Sequence, residues 1–293
     1  MISIKAFENG HRADIPENWD ECTPEQLRFI FTQVADLLTG NITMDEFKVG
    51  VFIHLAGIKI RKISGLHDKM LTREQHEQKY STIARLANLA TEWMFVKEGK
   101  TIRFDYAAIR NPMPDIRCGL FKYHGPEHLF ADVTFGEYRV AYDYYTRYLS
   151  SQDPQDLSCL ISALYRRNRH RPFSATKSIE HANRFSRLSP IDRQIICSWF
   201  GAADHFIKTS DLCVDGRIIN FTPLFKQDKQ ASALDDDYGA PAPLGITGIL
   251  IAVADSGTFG TAAQVEATPL IDILLKLYHW HCESRRLKQK YND

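Results

Sequence analysis

The chain has 293 residues, 44% of them hydrophobic, enough to bury a substantial core as one large domain or two lobes. Its 36 Lys and Arg balance 36 Asp and Glu, so the whole molecule is neither a general polyanion binder nor an acidic mimic of one. Cys22, Cys118, Cys159, Cys197, Cys213 and Cys282 are widely spaced with no CxxC pair, which excludes the usual thiol zinc and redox motifs. Cys159, Cys197 and Cys282 fall in apolar helical patterns, where cysteine acts as a small hydrophobe, and a reduced cytosolic setting is expected.

In chain order, ISIKAF, ENG and HRADIP read as two short strands about a turn. No charged start followed by an apolar run is present there, so no signal peptide is expected. Thr23-Pro24-Glu25-Gln26 then supplies a cap, a proline for the first helical position and a capping-box glutamine. Leu27, Ile30, Phe31, Val34, Leu37 and Leu38 follow at helical spacing until Gly40. Thr43 and Glu46 open a second helix through Val51 and Leu55. A third is expected over about 72–95, with Tyr80, Ile83, Leu86, Ala87, Ala90 and Met94 on its face.

Ile102, Phe104 and Tyr106 alternate as in a strand, and Asn111-Pro112-Met113-Pro114 reads as a rigid connection. Thr134 and Glu137 open a tyrosine-rich helix on which Phe135, Tyr138, Tyr142, Tyr145 and Leu149 share a face. Asp153-Pro154 starts the next helix, whose stripe is Leu157, Leu160, Ile161, Leu164 and Tyr165. The short connection predicts a helical hairpin in which Tyr138, Tyr142 and Tyr145 pack against 157–165. Ser189-Pro190 and Thr268-Pro269 introduce two further apolar helices, the last extended by a polar tail. Residues 226–243 read as an exposed loop. Leu244–Ala254, the longest apolar stretch, is about half of what a bilayer span requires.

These elements predict a mainly α, multi-helix globular protein with a small N-terminal β-hairpin and a short β segment near 100–110. The expected division is a hairpin plus helical lobe over 1–95, a β/loop connection over 96–133, and a helical lobe over 134–293, with one continuous domain as the alternative.

The motifs that carry chemistry are weak. His279, His281 and Cys282 do not complete a zinc set, and His124 and His128 are separated by a helix-breaking Gly-Pro. Asp235–Asp237 lacks the ligand spacing of an EF-hand, and DSGTFGT over 255–261 lacks the end of a P-loop. No metal, no cofactor and no catalytic residue is expected from these patterns. One stretch stands apart by charge: over 165–193 there are eight Lys/Arg against two acids. Arg166, Arg167, Arg169 and Arg171 follow an apolar helix, where they complement its dipole; they are also the candidate nucleic-acid-binding residues.

Three blocks resemble a family of proteins encoded in phages and prophages of the Bacteroides–Flavobacterium group. They are DIPENWDECTPEQLRFIFTQVADLLTGNITMDEFKVGVFIHLAGI, TFGEYRVAYDYYTRYLSSQDPQDLSCLISALYRR and FGTAAQVEATPLIDILLKL. The resemblance implies a gene among those for virion morphogenesis, near tail components, and a chaperone-like role in tail assembly. The expected function is non-enzymatic binding of another phage structural or tail protein in the host bacterial cytoplasm, with association with the virion as a further expectation and no membrane partner. The alternative is a nucleic-acid-binding protein of packaging or the head–tail junction that uses the basic 165–193 region.

Overall fold

The computed structural model describes residues 2–5, 12–58, 72–99, 101–225 and 245–292. Helices dominate, accompanied by small antiparallel strand pairs, which makes the fold mainly α. The chain divides into two compact units, Met1–Ala108 and Ile109–Asp293.

In the first unit, β1 (Ile2–Lys5) pairs antiparallel with β2 (Arg12–Ile15). Helix α1 (Pro24–Leu38) begins with the full Thr23/Gln26 capping box and ends before Gly40, whose φ of 74° only glycine adopts freely. Thr43 and Glu46 form the same box at α2 (Met44–Leu55), and Thr72 and Gln75 at α3 (Arg73–Thr91). The hairpin of β3 (Phe95–Glu98) and β4 (Thr101–Phe104) follows. Trp19 anchors this unit. Its ring meets Trp93, Phe104 and Tyr106 with centroids 4.6, 5.2 and 4.9 Å away, and its indole N–H donates to the Asp105 carbonyl at 2.8 Å. Buried Leu27, Ile30, Phe31, Phe47, Val51 and Phe52 complete the core. Leu38 and Tyr80, expected on apolar faces, are 82% and 64% exposed.

The second unit opens with a hairpin inside the stretch expected as a β/loop connection, though its strands were not individually expected: β5 (Asp115–Cys118) and β6 (Phe121–His124), turning at Gly119-Leu120. Helices α4 (Phe135–Ser151) and α5 (Pro154–Leu164) form the expected helical hairpin. Every residue of α5 from Asp156 to Leu164 is buried. Around it lie α6 (Ala175–His181), a 3-10 turn over Ala182–Arg187 and α7 (Pro190–Thr209).

The tyrosine stripe does not pack as expected. Tyr138 donates its hydroxyl to Asp204, and Tyr138 and Tyr145 meet the Phe200 ring at 6.1 and 5.2 Å; Asp204 and Phe200 belong to α7. Tyr142 lies beneath the Lys208 ammonium at 4.1 Å. The side of α4 turned to α5 carries Tyr144, beside Cys159, and Arg147, which pairs with Asp156 at 3.2 Å. The physical reason is that α4 is packed on more than one side, so its tyrosine face meets the Phe200, Asp204 and Lys208 side chains of α7 while Tyr144 and Arg147 face α5. Leu149, expected on the same face, is 54% exposed.

Chain order then gives the hairpin β7 (Asp211–Val214) and β8 (Arg217–Asn220), the short α8 (Thr222–Phe225), α9 (Gly245–Asp255), α10 (Ala262–Ala267) and α11 (Leu270–Asn292). Backbone amides of Phe135 and Leu270 bond the carbonyls of Thr268 and Val133 at 2.8 and 2.9 Å, which fixes the start of α11 beside the start of α4. Arg139 and Glu266 seal the same junction. The polar C-terminal segment continues α11 to Asn292. Residues 226–243, expected as a loop, lie outside the described residues, as do Asp235–Asp237. Among the described residues no helix is long and apolar enough to cross a membrane.

Candidate anion-binding cleft

The segment after α5 cannot continue as helix, because Tyr165 takes an extended conformation and two backbone bonds hold Arg166 to His124 of β6. Tyr165 is buried, and its hydroxyl donates to the Met113 carbonyl at 2.8 Å. Gly125 makes this crossing feasible: a Cβ there would lie 2.5 Å from the Tyr165 ring and 2.7 Å from Asn111 Nδ2.

The four candidate arginines separate into two classes. Arg169 turns inward, donating through Nη1 to the last carbonyl of α5, Leu164, at 2.7 Å, and pairing with Asp132. Arg166 also turns inward. It donates to the carbonyls of Arg171 and Arg169 at 2.6 and 3.1 Å, and its guanidinium lies 2.7 Å from Glu137 Oε1. That contact is ionic without the alignment of a hydrogen bond. Glu137 is fully buried, and its second oxygen accepts from the Thr134 amide at 2.9 Å. Burial pushes its carboxyl above the ordinary value despite Arg166, the Thr134 amide and Arg169. The same burial lowers the Arg166 guanidinium. Helix capping and internal pairing thus engage Arg166 and Arg169.

Arg167 and Arg171 are exposed. Arg167 lies over the Phe121 ring at 4.1 Å, and Arg171 opens onto a cleft of about 570 Å³. The cleft lies between the loop after α5, helix α6 and the 3-10 turn that follows it. Its cations are Arg166, Arg167, Arg171, Lys177 and Arg184, joined by His181; no Asp or Glu lines it among the described residues. Sequence reasoning picked out the local charge but not the convergence of Lys177 and Arg184 with the arginine run. The eight-against-two charge ratio held that signal, spread over two elements.

Beneath the cations are polar groups with no internal partner. Tyr123 and Ser178 are 5% and 8% exposed, and among the described residues neither hydroxyl has a hydrogen-bond partner; Arg166 Nε is likewise buried and unpartnered there. All three residues line the cleft. The β5–β6 hairpin adjoins it through Phe121, whose ring lies under Arg167; Leu120, the preceding residue at the hairpin turn, is 100% exposed. Chemically the arrangement suits an oxyanion: several positive charges, unpartnered donors and, among the described residues, no competing carboxylate in the lining.

The remaining candidates do not assemble. Asp115 draws His124 into a 2.6 Å contact on the β5–β6 hairpin, while His279 pairs with Glu283 at 3.4 Å on α11. Among the described residues no three His, Cys, Asp or Glu side chains are grouped to hold a metal ion. The DSGTFGT segment is the turn between α9 and α10, its Ser256 hydroxyl bonded to Thr258 and to the Val253 carbonyl. Comparison with protein families, curated proteins and solved structures finds no match to the chain.

Proposed function

We propose that this chain is a non-enzymatic phage or prophage morphogenesis protein that binds another virion protein, a tail component, during assembly in the host cytoplasm. The setting follows from the sequence resemblance. The observation that carries the binding role is the cleft, where Arg167, Arg171, Lys177 and Arg184 stand exposed with no carboxylate in the lining. Exposed charges of one sign on a concave wall favour an acidic partner surface and speed its encounter. Co-expression with the tail proteins of the same genome, followed by co-purification, tests the proposal. A complex with a tail protein that is lost on Arg171→Glu/Lys177→Glu supports it. A folded protein that retains none of them refutes it.

The second reading, a nucleic-acid binder of packaging or the head–tail junction, draws on the same cations. Weighing against it, three of the aromatic rings here offer little for stacking, since Arg167 covers Phe121 and Tyr123 and Phe185 are buried edge to face at 4.9 Å; half-buried Phe173 is the ring left in the lining beside buried Tyr165. Its own test is the salt slope of oligonucleotide binding, about −0.7 per phosphate contacted on a single strand.

A further inference from the structure

We propose that the cleft recognises one chemical class of partner segment, an acidic polypeptide stretch that also carries aliphatic side chains, and that its floor is a carboxylate-receiving subsite. The inference rests on the protein-binding reading above and specifies the partner's chemistry. Three residues of the lining carry a buried donor without a hydrogen-bond partner among the described residues: the Tyr123 and Ser178 hydroxyls and Arg166 Nε. Buried donors left idle carry a desolvation cost, and a carboxylate entering from the partner removes it while gaining charge-assisted bonds. Above the floor, Arg171, Lys177 and Arg184 are placed for further acidic side chains of the same segment. Phe121, partly exposed under Arg167, and the wholly exposed Leu120 that precedes it at the hairpin turn offer the apolar contact that a purely anionic ligand would not use.

Neutralising internal acids are missing for a reason visible in the fold. Glu137 and Asp132 are directed to Arg166 and Arg169 behind the cleft, so the outer cations keep their full field. A structural role for the floor hydroxyls predicts that removing them destabilises the protein. Since they bond nothing among the described residues, Tyr123→Phe and Ser178→Ala should fold as well as the parent.

The experiment is calorimetric titration of the full chain with a capped hexapeptide of alternating leucine and glutamate, its leucine–glutamine counterpart, and a single-stranded hexanucleotide. The glutamate peptide should bind at least about tenfold more tightly than the glutamine peptide and the oligonucleotide. Arg171→Glu/Lys177→Glu should weaken it by at least about tenfold. Tyr123→Phe and Ser178→Ala should each weaken it about fivefold with an unfolding temperature equal to or above the parent's. Equal binding of the two peptides, absence of binding by the glutamate peptide, or tighter binding of the oligonucleotide overturns the inference. So does a loss of binding in the hydroxyl variants that only tracks a loss of stability. Peptide binding without any tail-protein complex leaves this subsite standing and removes the morphogenesis reading; a tail-protein complex indifferent to these substitutions does the reverse.

Discussion

Truncation of Tyr138 is the sharpest test of how the second unit is held together. The ring is 6% exposed, and its centroid lies 6.0 Å from Phe130, 5.8 Å from Tyr142 and 6.1 Å from Phe200. Removing it opens a cavity walled by rigid aromatics that cannot collapse inward, which costs about 3–5 kcal/mol. The hydroxyl adds a second loss. Asp204 is 8% exposed and accepts from Tyr138 and, at 2.8 Å, from Lys208; without the phenol it keeps only the lysine. A hydrogen bond to a charged group contributes about 1.5–3 kcal/mol, so Tyr138→Phe should cost that much alone. Tyr138→Ala should cost about 5 kcal/mol, the two losses not being fully additive. Half-buried Tyr142, by comparison, should lose about 1–2 kcal/mol on truncation to alanine. Guanidinium denaturation followed by tryptophan fluorescence separates these values, because Trp199 packs on Phe130 at 5.4 Å. A Tyr142→Ala variant less stable than Tyr138→Ala would refute the packing described here.

Other expectations address different parts of the chain. A Cβ at Gly201 would run into the Tyr145 hydroxyl; Gly201→Ala should therefore cost about 1–3 kcal/mol, partly recovered by adding Tyr145→Phe, and no recovery would contradict the contact. Cys213 is exposed, whereas burial pushes the Cys22 and Cys197 thiols up to about 12. Ellman's reagent at pH 8 should thus show its fastest phase from Cys213, absent in Cys213→Ser; persistence of that phase would be contrary. Asp115 is held below the usual carboxylate range by its Lys122 hydrogen bond, then by His124. Because its folded value is depressed, its contribution is present above about 4 and lost as pH falls through the folded value. Asp115→Asn should flatten that part of the acid unfolding curve, and 0.5 M salt should weaken the effect, since both side chains are about half exposed.

Much of the helical layout was legible because its signals are local. Thr23, Thr43, Thr134, Asp153 and Ser189 each cap the helix they were expected to open. The hairpin β7–β8 also had a local signal: Asp215-Gly216, with φ of 48° and 74°, is the dipeptide that favours a tight strand reversal. Partner choice among helices was not legible. Tyr138, Tyr142 and Tyr145 share a face on any helix, but periodicity cannot say whether α5 or α7 lies against it. For the cleft, sequence supplied the charge of Arg167 and Arg171. It could not show that Arg166 and Arg169 turn inward to Glu137 and Asp132, acids some 30 residues earlier. Nor could it show that Tyr123, from a strand, would share a floor with Ser178, from a helix.

The most direct measurement is the affinity of the wild-type chain and Arg171→Glu/Lys177→Glu for a co-expressed tail protein of the same genome, read by calorimetry at two salt concentrations. A basic protein-binding cleft requires a complex that weakens by at least about tenfold in the variant and that loses affinity as salt rises. Equal affinity of wild type and variant, at either salt concentration, would place binding elsewhere on the molecule and contradict the role assigned to the cleft.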